Sequence, residues 1–135
     1  MLKLIINKDK NNSYFISDYN DERLKIIGLI LIDPKARAYF YKILSDITQI
    51  LNKNIYSIKS SDGNINFKFS ISLNNNVIIS VHENNSFNNI ENDYQTDIKK
   101  DILRDLIIKM DEFVDEKIND MILTLNQDNF DLNKI

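Results

Sequence analysis

Apolar and polar positions alternate most cleanly in the middle of the chain. Ile65, Phe67, Phe69, Ile71 and Leu73 are separated by Asn66, Lys68, Ser70 and Ser72. Period two is the signature of a strand with one buried and one wet face. Asp62-Gly63 stands just before it, a hairpin turn signal, so "IYSIK" should pair with this strand. "NNN" (74–76) then turns into "VIISVHE", where Val77, Ile79 and Val81 alternate. The pattern predicts a three-stranded antiparallel meander. Near the start, "LKLII" reads as a short strand, "NKDKNN" as a turn and "SYFISDY" as the returning arm of a hairpin.

Elsewhere the period lengthens. In "DERLKIIGLILI", Leu24, Ile27 and Leu31 share a helical face, and Asn20 or Asp21 can cap its start. The same β-branched run with Gly28 also suits a buried strand; residues 20–32 are read as helix, with strand the alternative. "DPKARAYFYKILSDITQIL" is clearer. Asp33 caps, Pro34 fits the first helical position, and Ala36, Phe40, Ile43, Leu44, Ile47, Ile50 and Leu51 form a stripe that ends near Asn52. "NNSFNNIENDYQ" reads as a polar loop. A long helix is expected from about Thr96 to about Leu125, with residues 126–135 as a tail that can fray. The expected fold is α+β in a single domain spanning 1–135: an antiparallel sheet made of the N-terminal hairpin and the central meander, helices packed on one face, and a long C-terminal helix.

Composition narrows the class. The chain has 135 residues, no cysteine, one histidine and a net charge of −3. Without cysteine there is neither a disulfide framework nor a thiolate metal site. The mild negative balance disfavours nucleic acid and anionic membranes, which call for a basic footprint. The longest apolar run, "IIGLILI", is too short to span a bilayer, and "MLKLIIN" is too short for a signal-peptide core. A soluble cytoplasmic protein is expected. Asn, Ile and Lys share A/T-rich codons, so the asparagine runs are discounted as functional signals.

Candidate chemistry concentrates in "DILRDLIIKMDEFVDEKINDMIL" (101–123). At about 100° per residue, Ile102, Leu103, Leu106, Met110, Phe113, Val114, Met121 and Leu125 fall on one arc. Asp97, Asp101, Asp105, Asp111, Glu112, Asp115 and Glu116 fall on the opposite one. A solvated face explains such acids in general. Here, however, 97/101, 101/105, 111/115 and 112/116 stand acid over acid, each pair unfavourable by about 0.2–0.5 kcal/mol. A cationic partner would offset that repulsion. Carboxylates at this spacing also suit Mg²⁺ or Mn²⁺, but the second clear helix offers only Asp33 and Asp46 to complete a site.

Other candidates are thinner. His82 beside Glu83 could act as an oriented general base, or simply be a strand-end histidine. Ser80 and Ser86 lack a nucleophile's setting, and two glycines cannot build a phosphate loop. "PKARAYFYK" could stack bases beside phosphates, or be a helix surface whose tyrosines rim the core around Phe40.

The acidic stripe of Asp101, Asp105, Asp111, Glu112, Asp115 and Glu116, set in a small cysteine-free α+β chain, resembles the immunity proteins of bacterial toxin systems such as contact-dependent growth inhibition. That resemblance implies an inhibitor whose partner is a basic toxin domain, often a nuclease; it carries over no site residues, and the stripe itself makes those six the candidate partner-binding surface. It implies no cofactor, no metal and no catalysis. The alternatives are another interaction module, including a homodimer joined through an edge strand such as 13–19, and an enzyme using carboxylate-bound metal or His82.

Overall fold

The computed structural model describes residues 1–45, 55–72, 74–85 and 90–135. The elements are β1 (Leu2–Lys8), β2 (Tyr14–Tyr19), α1 (Glu22–Ile32), α2 (Pro34–Ser45), β3 (Ile55–Lys59), β4 (Ile65–Ile71), β5 (Asn76–Asn85), β6 (Ile90–Lys99), α3 (Lys100–Asp115), β7 (Asp120–Asn126) and β8 (Asn129–Lys134). The fold is α+β. Its strands form two antiparallel four-stranded sheets, in the orders β2-β1-β7-β8 and β3-β4-β5-β6.

The meander forms as the alternation predicts. Phe67 faces Val81 and Phe69 faces Ile79 across β4 and β5, and all four are buried. Gly63 takes the left-handed conformation (φ 78°) that the Asp62-Gly63 turn needs. Phe40 of α2 lies between the rings of Phe67 and Phe69, at 6.1 and 4.4 Å between centroids. The remainder of the α2 stripe (Ile47, Ile50, Leu51) lies outside the described residues, as do Asp46, Leu73 and Ser86.

Residues 22–32 are a helix. Asp21 caps it, its carboxylate accepting the backbone N–H groups of Arg23 and Leu24. The ambiguity of this segment has a physical cause. A helix apolar all round is a buried helix, and α1 touches β1, β2 and β7 of one sheet and β6 of the other. At Gly28 a Cβ would stand 2.8 Å from Leu4 Cδ1, so glycine lets α1 lie close on β1.

Lys25 links the sheets at this centre. Its ammonium donates to the Tyr94 hydroxyl (3.2 Å) and pairs with Glu83 (3.3 Å). It also sits over the Tyr19 ring of the first sheet, 5.3 Å from the centroid. Burial pulls its pKa down, but the hydrogen bond to Tyr94 and the Glu83 charge outweigh burial and leave it raised.

Three expectations fail at the C-terminal end. First, the last helix stops at Asp115 and two strands follow it. Lys117, in the left-handed region (φ 60°), ends the helix. Its N–H donates to Val114 O and that of Ile118 donates to Phe113 O, a Schellman stop built without glycine. Met121 and Leu125, expected on a helical arc, alternate with Ile122 and Thr124 on β7. Second, residues 126–135 do not form a frayed tail: β8 pairs with β7 and buries Leu132. Third, residues 90–95, read as part of a loop, and 96–99, read as the start of the last helix, together form β6, paired along β5, so the helix begins only at Lys100. The helices therefore do not cover one face of a single sheet; both sheets pack against them.

Candidate functional site

α3 carries the acidic stripe. Its buried side is Leu103, Leu106, Ile107, Met110 and Phe113, and it packs on α2, β8 and β6. Asp101, Asp105, Glu112 and Asp115 point the other way, with Ile108 among them at 37 % exposure. Asp97 is not on this helix. It lies on β6, so the expected repulsion between 97 and 101 along one helix does not arise.

The stripe's carboxylates divide into two sets. Three of them are paired within the chain. Asp111 accepts from Arg37 Nε at 2.8 Å, and Arg37 also donates to Leu31 O at 2.6 Å. Arg37 is only 6 % exposed, so this residue, read as part of a helix surface, is an internal tie between α2 and α3. Glu116 pairs with Lys134 of β8 at 2.8 Å. Asp101 pairs with Arg104 at 3.3 Å and accepts from the Asn75 side chain. Along the crest, Asp105, Glu112 and Asp115 form no ion pair or hydrogen bond with any described side chain.

Beside the crest, a groove of about 220 Å³ runs between α3 and β8, lined by Ile102, Asp105, Leu106, Lys109, Phe130 and Asp131. Lys109, four residues after Asp105, reaches instead to Asp131 at 3.6 Å. Asp105 is thereby left without its helical counter-ion. Among the described residues, no three His, Cys, Asp or Glu side chains converge as a metal site.

His82 lies on the outer face of the second sheet. Glu83, its sequence neighbour, points inward to Lys25. The carboxylate that meets the imidazole is Asp93, directly across on β6, 2.6 Å from Nδ1. Nε2 is 4.0 Å from Glu91. The Asp93 hydrogen bond, with the charges of Asp93 and Glu91, raises the His82 pKa. Both nitrogens thus face carboxylates, an arrangement that holds a proton on the ring. Ser80, two residues away, lies beside Gln95.

"PKARAYFYK" forms no stacking platform. Phe40 is buried, Tyr39 is half-buried against Phe69, and Tyr41 alone of the three rings is largely exposed. No helix among the described residues is long and apolar enough to cross a membrane. No protein-family model, curated protein or solved structure matches the chain.

Proposed function

We propose that this chain is an immunity-type inhibitor that docks a basic protein domain on the crest of α3. One observation carries the reading. The flanking acids of the stripe are neutralised by the chain's own Arg37, Arg104 and Lys134, whereas Asp105, Glu112 and Asp115 stay exposed and unpaired among the described residues. A stripe serving solubility alone has no reason to leave its charge so concentrated. Exposed like charges on one ridge accelerate encounter with a cationic partner and reject anionic ones. The adjoining α3–β8 groove has an apolar floor, the Lys109–Asp131 pair on it and one unpaired carboxylate, Asp105; a partner arginine whose stem lies on Phe130 could reach Asp105 with its guanidinium. Blocking a toxin needs no reaction from this chain, only coverage of the partner's working surface.

The test is coexpression with the protein encoded beside this chain, followed by association kinetics. A basic domain bound one-to-one, with an on-rate falling steeply as salt rises, supports the reading. Neutralising Asp105, Glu112 and Asp115 together should slow association about ten-fold or more while leaving the fold intact. Asp111 and Glu116 are poor choices for that experiment, because their loss also breaks internal ties.

A second reading has its own observation. β2 is an edge of its sheet, and Phe15 and Tyr19 on it are each 43 % exposed. Such an edge can add a strand from a second copy. Light scattering distinguishes the two: a dimer supports edge pairing, and a monomer that still binds the basic domain supports the crest.

A further inference from the structure

Among the described residues, a second depression is lined by none of the residues of α3. It occupies about 600 Å³ on the outer face of the second sheet, within the size range of small-molecule sites. The helices pack against the other face of this sheet, where Tyr56, Phe67, Phe69, Val77, Ile79 and Val81 are buried. The register sets Ser57, Lys68, Ser80 and Gln95 side by side, one from each strand. At about 4.8 Å between strands, the row spans about 14 Å. None of these four side chains makes a hydrogen bond or ion pair with a described residue.

Charge sorts the face further. Asp93, the carboxylate of the depression, is taken by His82 at 2.6 Å. The ammonium of Lys68 is therefore the uncompensated charge on the floor, with a serine hydroxyl on the strand at each side. A cation flanked by hydroxyl donors is the complement of a compact oxyanion, since donors to an ionised acceptor form the stronger class of hydrogen bond. Asn66 and Gln95 add neutral donors and acceptors that suit hydroxyl groups around that anion.

We propose that this face binds a small polar ligand through an oxyanion, a carboxylate or a phosphate, seated over Lys68 between Ser57 and Ser80. The site is separate from the crest of α3, so its fate and that of the inhibitor reading are independent.

Amide correlation spectra of the whole protein test it, at constant ionic strength, with inorganic phosphate, acetate, glucose 6-phosphate and glucose as probes. Saturable shifts confined to Ser57, Lys68, Ser80, Gln95 and their neighbours are expected with the anions. A preference for phosphate or for acetate assigns the oxyanion, and tighter binding of the sugar phosphate than of glucose places the anion as the anchor. Lys68→Gln should weaken binding about ten-fold or more, and Ser80→Ala by a smaller factor. Both positions are solvent-facing, and unchanged shifts elsewhere report an intact fold. Shifts no larger than those from sodium chloride, or shifts that persist in Lys68→Gln, overturn the proposal.

Discussion

Residue by residue, the fold relies on a few polar side chains placed where their partners come from far along the chain. Arg37 is the clearest. A buried guanidinium left without its carboxylate is penalised by more than the loss of one ordinary hydrogen bond. Asp111→Ala should therefore lower stability by about 1–2 kcal/mol, discounted because Asp111 is itself half-exposed. Glu112→Gln, one residue along on the crest, should change stability by less than about 0.5 kcal/mol. Denaturant unfolding of the two variants checks the contrast. Lys117 makes the opposite case. A side chain in the left-handed region is unfavourable by about 1 kcal/mol, so Lys117→Gly should raise the unfolding midpoint. His82 can be followed directly. Its imidazole should titrate with a midpoint above 6.5, and Asp93→Asn should bring that midpoint down, because the Asp93 hydrogen bond is the main cause of the shift. The sign for stability follows. A raised histidine pKa favours the folded state fully below the unfolded value, and that contribution disappears as pH rises through the folded one.

Elements were legible where the period was unmistakable and a turn or cap marked the end. The meander and the start of α2 qualify, whereas the apolar run of α1 left helix and strand both open; Asp21, Asp33 and Gly63 all act as their residue types suggest. α3 was over-extended because its stop is a lysine. Met121 and Leu125, four apart, continue the helical arc as well as they continue a strand. β6 was hidden by composition. Its inward positions include Asn92 and Tyr94, which read as loop, and Thr96, which reads as a helix start, until Lys25 and Glu83 are seen on the same side. With two glycines in the chain, asparagine takes some left-handed turn positions, as Asn12 and Asn75 show (φ 63° and 69°). Part of the asparagine content thus has a structural use. The terminal hairpin is a firm part of the fold. Removing residues 129–135 would expose the edge of β7 and the site of the fully buried Leu132. A loss of at least about 3 kcal/mol is expected, visible as a collapsed thermal transition; a dispensable tail would leave the transition unmoved.

Across the whole molecule, two sheets enclose one core and leave two surfaces of different chemistry. α3 and β8 present carboxylates; the outer face of β3-β4-β5-β6 presents Lys68 among serine and glutamine side chains, beside the His82–Asp93 pair. The acidic surface was legible in part. Six carboxylates were singled out from helical spacing, and the crest members Asp105, Glu112 and Asp115 stand as that spacing implies. The sequence could not show that Asp111 meets Arg37 or that Glu116 meets Lys134, because those pairs depend on α2 lying against α3 and on β8 returning beside it. The row Ser57–Lys68–Ser80–Gln95 was out of reach for the same reason: its members are neighbours only through strand register, and one of them lies on the strand that composition concealed.

The most direct measurement is the association rate of the chain with the basic domain encoded beside it, at low and at physiological salt, for the native chain and for the Asp105→Asn, Glu112→Gln, Asp115→Asn triple variant. Steep salt dependence in the native chain, largely abolished in the variant, is the predicted result. A variant that associates as fast as the native chain, with the same salt dependence, would contradict the role given to the crest of α3.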